Sequence, residues 1–213
     1  MLKVNEIFYS IQGEGTFSGR PCVFVRLTGC NLRCSYCDTR YAYYEGKDME
    51  IDEIIEKVIS YRCHVVEITG GEPLIQDETP ILIKRLLDLG FQVLLETNGT
   101  KDISVVDRRC IRIVDIKCPC SGEEEKMDYE NLKRLSEHDE IKFVIAERRD
   151  FDFAKEVLKK WKIVPFKPNP VHFSPVYGKL SPQELAKWIL DERLGVRLNL
   201  QIHKILWGER RGV

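Results

Sequence analysis

The 213-residue sequence predicts an α/β chain built on a largely parallel sheet, an open partial (βα)6-type barrel formed by a single domain over 1–213. Short apolar, β-favouring runs alternate with amphipathic helical stretches, the signature of parallel strands joined by right-handed crossovers. The length suits one sizeable core, whereas the strand–helix units are too few for a closed eight-stranded barrel. Polar residues also collect at the ends of the runs, which is where a parallel sheet binds its ligands.

Taken in order, 3–9 read as a strand, followed by the glycine-punctuated loop Ser10-Ile11-Gln12-Gly13-Glu14-Gly15. A second apolar run, 21–28, ends at a cysteine-rich loop. Over 52–62, Ile54, Ile55, Val58 and Ile59 lie opposite Glu53, Glu56 and Lys57, a helical spacing with Asp52 as cap. The strand 64–69 runs into Gly70-Gly71-Glu72-Pro73, and a helix from Glu78 stops at Gly90. The strand 91–95 closes on Glu96-Thr97-Asn98-Gly99. A strand over 111–116, a helix near 128–137, a strand over 140–146 and a helix over 150–162 continue the alternation. After a proline-rich connector, 171–174 is a short strand, Ser181-Pro182 opens a helix at its cap and first turn, and 196–201 is the last strand. Arg26, Cys30, Thr69, Glu72, Glu96, Asn98, Asp115, Lys117, Ser174, Gln201 and His203 all fall at or just past strand ends, so one mouth should gather them.

Charged residues make up 31% of the chain, but the net charge is only −1, so no basic field recommends nucleic acid as a partner. A small-molecule substrate fits better. No stretch has the length of a membrane span and the start has no apolar signal region, so a cytoplasmic protein is expected.

Of eight cysteines, Cys30, Cys34 and Cys37 form a Cys-x3-Cys-x2-Cys run. Soft thiolates in that density select zinc, copper(I) or an iron–sulfur centre. A cluster with three cysteine ligands keeps one iron open to an exogenous ligand, which makes the site reactive. Two other readings stand beside it: a zinc site completed by His64, and a disulfide framework, against which the odd trio argues. Cys22, Cys63, Cys110, Cys118 and Cys120 read as small buried hydrophobes, with Cys118-Pro119-Cys120 the one pair placed for a labile disulfide or second cluster.

The run Cys30-x3-Cys34-Ser35-Tyr36-Cys37, with an aromatic before its third cysteine, together with Gly70-Gly71-Glu72-Pro73 after a strand, resembles the radical S-adenosylmethionine superfamily. The resemblance implies a [4Fe–4S] cluster on Cys30, Cys34 and Cys37 that reduces S-adenosylmethionine at its open iron and releases a 5′-deoxyadenosyl radical. It also implies S-adenosylmethionine contacts from Tyr36, Cys37, Asp38, Gly71, Glu72, Asn98, Asp115, Ile116, Lys117, Ser174, Pro175 and Val176, with Glu72 taking the methionine ammonium.

Ser10 to Gly15, Phe24 to Cys34, Cys37-Asp38-Thr39, Thr69 to Pro73, Asp115-Ile116-Lys117, Ser174-Pro175-Val176 and Gln201-Ile202-His203-Lys204 narrow the resemblance to the 7-carboxy-7-deazaguanine synthase family. That family contracts the ring of 6-carboxy-5,6,7,8-tetrahydropterin with loss of ammonia, in 7-deazapurine biosynthesis leading to queuosine and archaeosine. By resemblance Gln12, Gly13, Glu14, Arg26, Thr69 and His203 bind the pterin, Thr39 binds Mg2+, and a flavodoxin or ferredoxin donates the electron. The exposed edges of an open barrel suit a homodimer. The alternative is a radical S-adenosylmethionine activase that makes a glycyl radical on a partner protein; it shares the cysteine loop and Gly70 to Pro73 but needs no pterin pocket. The terminal Glu209-Arg210-Arg211-Gly212-Val213 reads either as a frayed basic tail or, as the resemblance to some family members implies, as a segment whose Val213 carboxylate meets the substrate.

Overall fold

A computed structural model describes residues 1–165 and 168–213. Its nine strands form one open sheet: β1 (Leu2–Ile11), β2 (Pro21–Leu27), β3 (Lys47–Met49), β4 (Val65–Gly70), β5 (Gln92–Thr97), β6 (Ile111–Ile116), β7 (Glu140–Ile145), β8 (Val171–Pro175) and β9 (Arg197–Leu198). The strand order is β3-β1-β2-β4-β5-β6-β7-β8-β9, so β3 and β9 are the edges and the barrel does not close. From β2 to β9 every neighbouring pair is parallel, whereas β1 runs antiparallel to both β2 and β3. The expected open partial barrel is therefore present, with an antiparallel flap that the alternation pattern did not reveal.

The helices are α1 (Ile51–Ser60), α2 (Thr79–Asp88), α3 (Asn131–Arg134), α4 (Arg148–Lys160), α5 (Pro182–Asp191) and α6 (Ile202–Trp207). Helix α1 begins earlier than Asp52 suggested, because the Glu53 carboxylate accepts the Glu50 backbone N–H at 3.0 Å. Helix α5 starts as expected: the Ser181 hydroxyl accepts the Glu184 N–H at 3.1 Å and Pro182 occupies the first turn. The proline-rich connector before β8 includes Phe166 and Lys167, which lie outside the described residues.

Two expected elements are shorter. The helix near 128–137 contracts to α3 because Asn131 turns inward, donating to the carbonyls of Gly99 at 3.1 Å and Lys101 at 2.7 Å. The strand expected over 196–201 keeps only β9: the Asn199 N–H still donates to the Phe173 carbonyl of β8 at 2.9 Å, while its side-chain amide turns to Ser174 Oγ at 2.8 Å and the pairing ends there. The chain then turns into α6, which the sequence pattern did not predict.

Period-2 alternation sorts each strand into two faces. Val23, Val25, Leu27, Val66, Ile68, Val93 and Leu95 point to a core shared with Ile54, Ile55 and Val58 of α1 and Leu82, Ile83 and Leu86 of α2. Val114, Ile116, Ile141, Phe143, Ile145, Val171 and Phe173 join a second core with Phe151 and Leu158 of α4 and Leu185 and Ile189 of α5. The opposite, concave face is apolar only at its base, where Cys22, Phe24, Val65, Leu94 and Ile113 make a plug. Above the plug it turns polar.

One buried ion pair fixes the β6–β7 segment. Arg112 is 1% exposed and donates to Asp139 Oδ2 at 2.5 Å, to the carbonyls of Ile103 and Arg134 at 3.0 Å each, and to Ser136 Oγ at 2.9 Å. Removing one member of such a pair leaves the other charge buried without compensation. Asp139→Ala is expected to lower the unfolding free energy by about 3–5 kcal/mol, measured by urea denaturation; a loss within experimental error would show that the pair is not integral to the fold.

Candidate active site

At the C-terminal ends of β2 and β4–β8 the concave face opens into a cavity of about 730 Å3. Its wall is the cysteine loop. Leu32, 1% exposed, anchors that loop in the core beneath β6–β8. Ser35 fastens it to the segment after β6, its N–H donating to the Ser121 carbonyl at 3.0 Å and its hydroxyl to the Cys120 carbonyl at 2.6 Å. The Glu72 N–H donates to the Gly29 carbonyl at 2.8 Å, which ties the other side to β4. Gly70, at φ +144°, and Gly71 make this possible: a Cβ on Gly70 would overlap the Leu27 backbone, and one on Gly71 the Gly29 carbonyl and Cys30. The glycine pair thus admits the cysteine loop, and both glycines also line the cavity.

Cys30, Cys34 and Cys37 are free thiols and all three line the cavity. Burial pushes the Cys30 and Cys34 thiols up, Cys34 to about 11, while the Lys117 ammonium opposes it. Among the described residues no three His, Cys, Asp or Glu side chains converge tightly enough to surround one metal ion. Three thiols on one wall suit a cubane, whose corners each take one thiolate. His64 is exposed just before β4, at the opposite end of the sheet, and stacks on Phe91 with ring centroids 6.4 Å apart, so it does not complete a zinc site. Cys30 Sγ accepts the Leu32 N–H at 3.4 Å and the Asn98 amide at 3.8 Å, contacts of the kind that tune a cluster sulfur. Two buried polar atoms beside the thiols, Tyr36 Oη and Asp115 Oδ1, have no hydrogen-bond partner among the described residues, which fits a polar ligand lodged next to a cluster. The other cysteines stay apart: Cys22, Cys110 and Cys118 are buried with thiols pushed up by desolvation, Cys63 and Cys120 are half-buried, and none is in a disulfide.

Of the residues expected around S-adenosylmethionine, Tyr36, Cys37, Asp38, Gly71, Asn98, Asp115, Lys117, Ser174, Pro175 and Val176 line the cavity. Glu72 and Ile116 do not. The Glu72 carboxylate is fully buried and accepts from Leu74 N–H at 2.9 Å, Thr97 Oγ1 at 2.8 Å and Asn98 N–H at 2.6 Å; it positions Asn98 and is not placed to take an ammonium. Ile116 points to the outer face, into the helix-side core. Lys117 and Asp115 pair at 2.6 Å; burial disfavours the Lys117 ammonium, but the Asp115 carboxylate outweighs it and holds the charge.

On the expected substrate side, Gln12, Glu14, Arg26, Thr69 and His203 line the cavity. Gly13 does not, but it packs under the His203 ring, where any Cβ would collide with the imidazole. Burial, with Lys204 and Lys142 nearby, lowers the His203 pKa against the pull of Glu14 and Asp38, which keeps the ring neutral. Arg26 donates from Nε to Glu6 Oε1 at 2.7 Å; among the described residues its two terminal nitrogens make no hydrogen bond. Thr39 Oγ1 donates to Asp38 Oδ1 at 2.9 Å, and Asp38 pairs with Lys204 of α6 at 2.5 Å. Residues 208–213 also border the cavity, with the Arg211 guanidinium 3.7 Å from the Tyr41 ring centroid, so the tail read as frayed lies against the mouth.

Glu67 and Lys142, on the cavity floor, are absent from the expected set of site residues; Glu96, expected at the mouth from its strand-end position but given no role, joins them there. The Lys142 ammonium donates to Glu14 Oε2 at 2.7 Å and to Glu96 Oε1. Burial pushes the Glu14 carboxyl up, but the Lys142 ammonium and the Gln201 amide hold it down at about 2. Burial raises Glu96, with Lys142 opposing, and raises Glu67 well above the usual range with the help of Glu96 and Glu14. A charge in the middle of an apolar strand, as in Val65-Val66-Glu67-Ile68 and Ile141-Lys142-Phe143, is the signal that could have found them.

The radical SAM superfamily profile matches residues 24–190. The chain is 43% identical to the 7-carboxy-7-deazaguanine synthase of Koribacter versatilis, with all of both chains covered. It is 45% identical to that of Chlorobaculum tepidum, covering all of this chain and 97% of the relative. Among solved structures it resembles that of QueE from Escherichia coli, with a TM-score of 0.75 at 26% identity over 94% of this chain and 93% of that one. The cysteine-lined cavity, the full-length likeness and the fold agree: the chain belongs to the 7-carboxy-7-deazaguanine synthase family of the radical S-adenosylmethionine superfamily.

Proposed function

We propose that this enzyme converts 6-carboxy-5,6,7,8-tetrahydropterin to 7-carboxy-7-deazaguanine with loss of ammonia, using a [4Fe–4S] cluster, S-adenosylmethionine and Mg2+. The observation that carries the reading is the Arg26 guanidinium, whose terminal nitrogens make no hydrogen bond among the described residues and share one cavity with three free thiols and a floor of amide and carboxyl groups. A planar guanidinium edge matches a carboxylate bidentately, and amide and carboxyl groups match the donors and acceptors of a pterin rim.

Cys30, Cys34 and Cys37 would hold the cluster, and Asn98 and the Leu32 N–H would hydrogen-bond its Cys30 ligand. When bound, the cluster and S-adenosylmethionine supply radical hydrogen abstraction from the substrate. Asp115, with one oxygen unpartnered and the other held by Lys117, is suited to ribose hydroxyls, and Tyr36, Ser174, Pro175 and Val176 would flank the rest of the cofactor. Arg26 would clamp the substrate carboxylate while Gln12, Glu14, Thr69 and neutral His203 orient the ring. Thr39 would give Mg2+ one hydroxyl ligand; Mg2+ keeps several waters and needs few protein oxygens. A flavodoxin or ferredoxin as electron donor and a homodimer complete the proposal. The glycyl-radical activase reading has no use for Arg26 set above a hydrogen-bonding floor, and the full-length likeness to deazaguanine synthases weighs against it.

Reconstituted protein incubated anaerobically with the carboxy-tetrahydropterin, reductant, S-adenosylmethionine and Mg2+ is expected to form a deazapurine chromophore; no such product would sink the proposal. Thr39→Ala is expected to raise the Mg2+ concentration needed for half-maximal turnover by roughly tenfold or more, as for loss of one oxygen ligand, while S-adenosylmethionine affinity changes far less. Equal losses in both titrations would remove Thr39 from the metal.

A further inference from the structure

Four carboxylates face the cavity from the sheet and from the loop after β1: Glu14, Glu67, Glu96 and Asp115. Three have a lysine. Glu14 and Glu96 share Lys142, and Asp115 holds Lys117. Glu67 pairs with no cation among the described residues, although it is only 4% exposed and sits directly above the apolar plug. Its side chain has a single partner there, the Gln12 amide, which donates to Oε2; Oε1 has none. A buried carboxyl in that position costs free energy until donors reach it. The Glu14 carboxylate, by contrast, already accepts from Lys142, Asn199 and Gln201.

The register supplies the direction. Glu67 is paired with Phe24, and the next pair on the same face is Thr69 with Arg26, so the open guanidinium lies one side-chain layer above the uncompensated carboxyl. A ligand spanning the two layers would carry N–H donors at its lower end and an anionic group at its upper end. We propose that Glu67 is the specificity-determining residue of this site, accepting the adjacent N–H donors of a 2-amino-4-oxopyrimidine ring, with Gln12 fixing its orientation. This rests on the pterin reading above and adds to it the residue that distinguishes a 2-amino ring from a 2-oxo ring. A carboxylate oxygen has two acceptor sites, so Oε2 serves Gln12 and the ligand together. Burial beside Glu96 and Glu14 pushes the Glu67 carboxyl up, so it is the N–H donors of the ligand that favour its ionised, accepting form.

The test uses the cluster-loaded protein with S-adenosylmethionine and two unreactive fluorescent probes, pterin-6-carboxylate and lumazine-6-carboxylate, which differ at the 2-position. Wild type is expected to bind the pterin at least about tenfold more tightly, the size of a lost charge-assisted hydrogen bond. Glu67→Gln, which replaces one acceptor by a donor, should reduce that preference to less than about threefold, with cluster absorbance and S-adenosylmethionine affinity unchanged. A preference that survives in the variant, a wild type without preference, or binding of neither probe would overturn the inference. If Glu67→Gln does not fold, Glu67→Asp, which withdraws the carboxyl toward the strand, replaces it with the same expectation. Failure of the catalytic reading is distinguishable: wild type would then bind the pterin selectively yet form no deazapurine from the tetrahydro substrate.

Discussion

A single ammonium organises the floor of the cavity. Lys142 rises from β7 between Glu14 on the loop after β1 and Glu96 on β5, joining elements far apart in sequence. Three carboxylates crowded into a nearly dry space would repel one another and stay protonated, and one lysine between two of them keeps Glu14 ionised at neutral pH. The same crowding pushes the Glu67 carboxyl up. The charge state of the floor is therefore a property of the assembled set and of no member alone.

The wall depends on a different constraint, the close approach of backbones. Gly70 and Gly71 let the cysteine loop lie directly against the end of β4, and Glu72, turned inward, holds Thr97 and Asn98 at the end of β5. Asn98 in turn reaches Cys30. A motif that reads as a ligand contact is thus, in its carboxylate, a brace between two strand ends that presents an amide to the thiol. With Leu32 in the core and Ser35 bonded to the segment after β6, the three thiols are held from three sides. Preorganisation of this kind spares a bound cofactor the entropy of ordering its own site.

Fold and site were legible in the sequence to different depths. The cysteine spacing, the glycine pair and the polar residues at strand ends are local, so they located the mouth of the cavity and most of its lining. Arg112 and Lys142 were not legible, because a charge inside a strand says nothing of its face until the register of its neighbours is known. Helix α6 was missed because the polar contacts that divert the chain, Asn199 to Ser174 and the Ile202 N–H to the Gly13 carbonyl at 3.1 Å, lie between segments distant in sequence.

The sequence by itself determined the alternating α/β order, the open sheet and the three-thiol loop at its mouth, since each follows from periodicity or spacing within a few residues. Only the tertiary structure decided which carboxylates are neutralised, that Glu72 and Ile116 face away from the cavity, and that Glu67 stands beneath Arg26 without a counter-ion among the described residues. Those outcomes depend on which strand faces converge and how deeply they are buried, and both come from long-range packing.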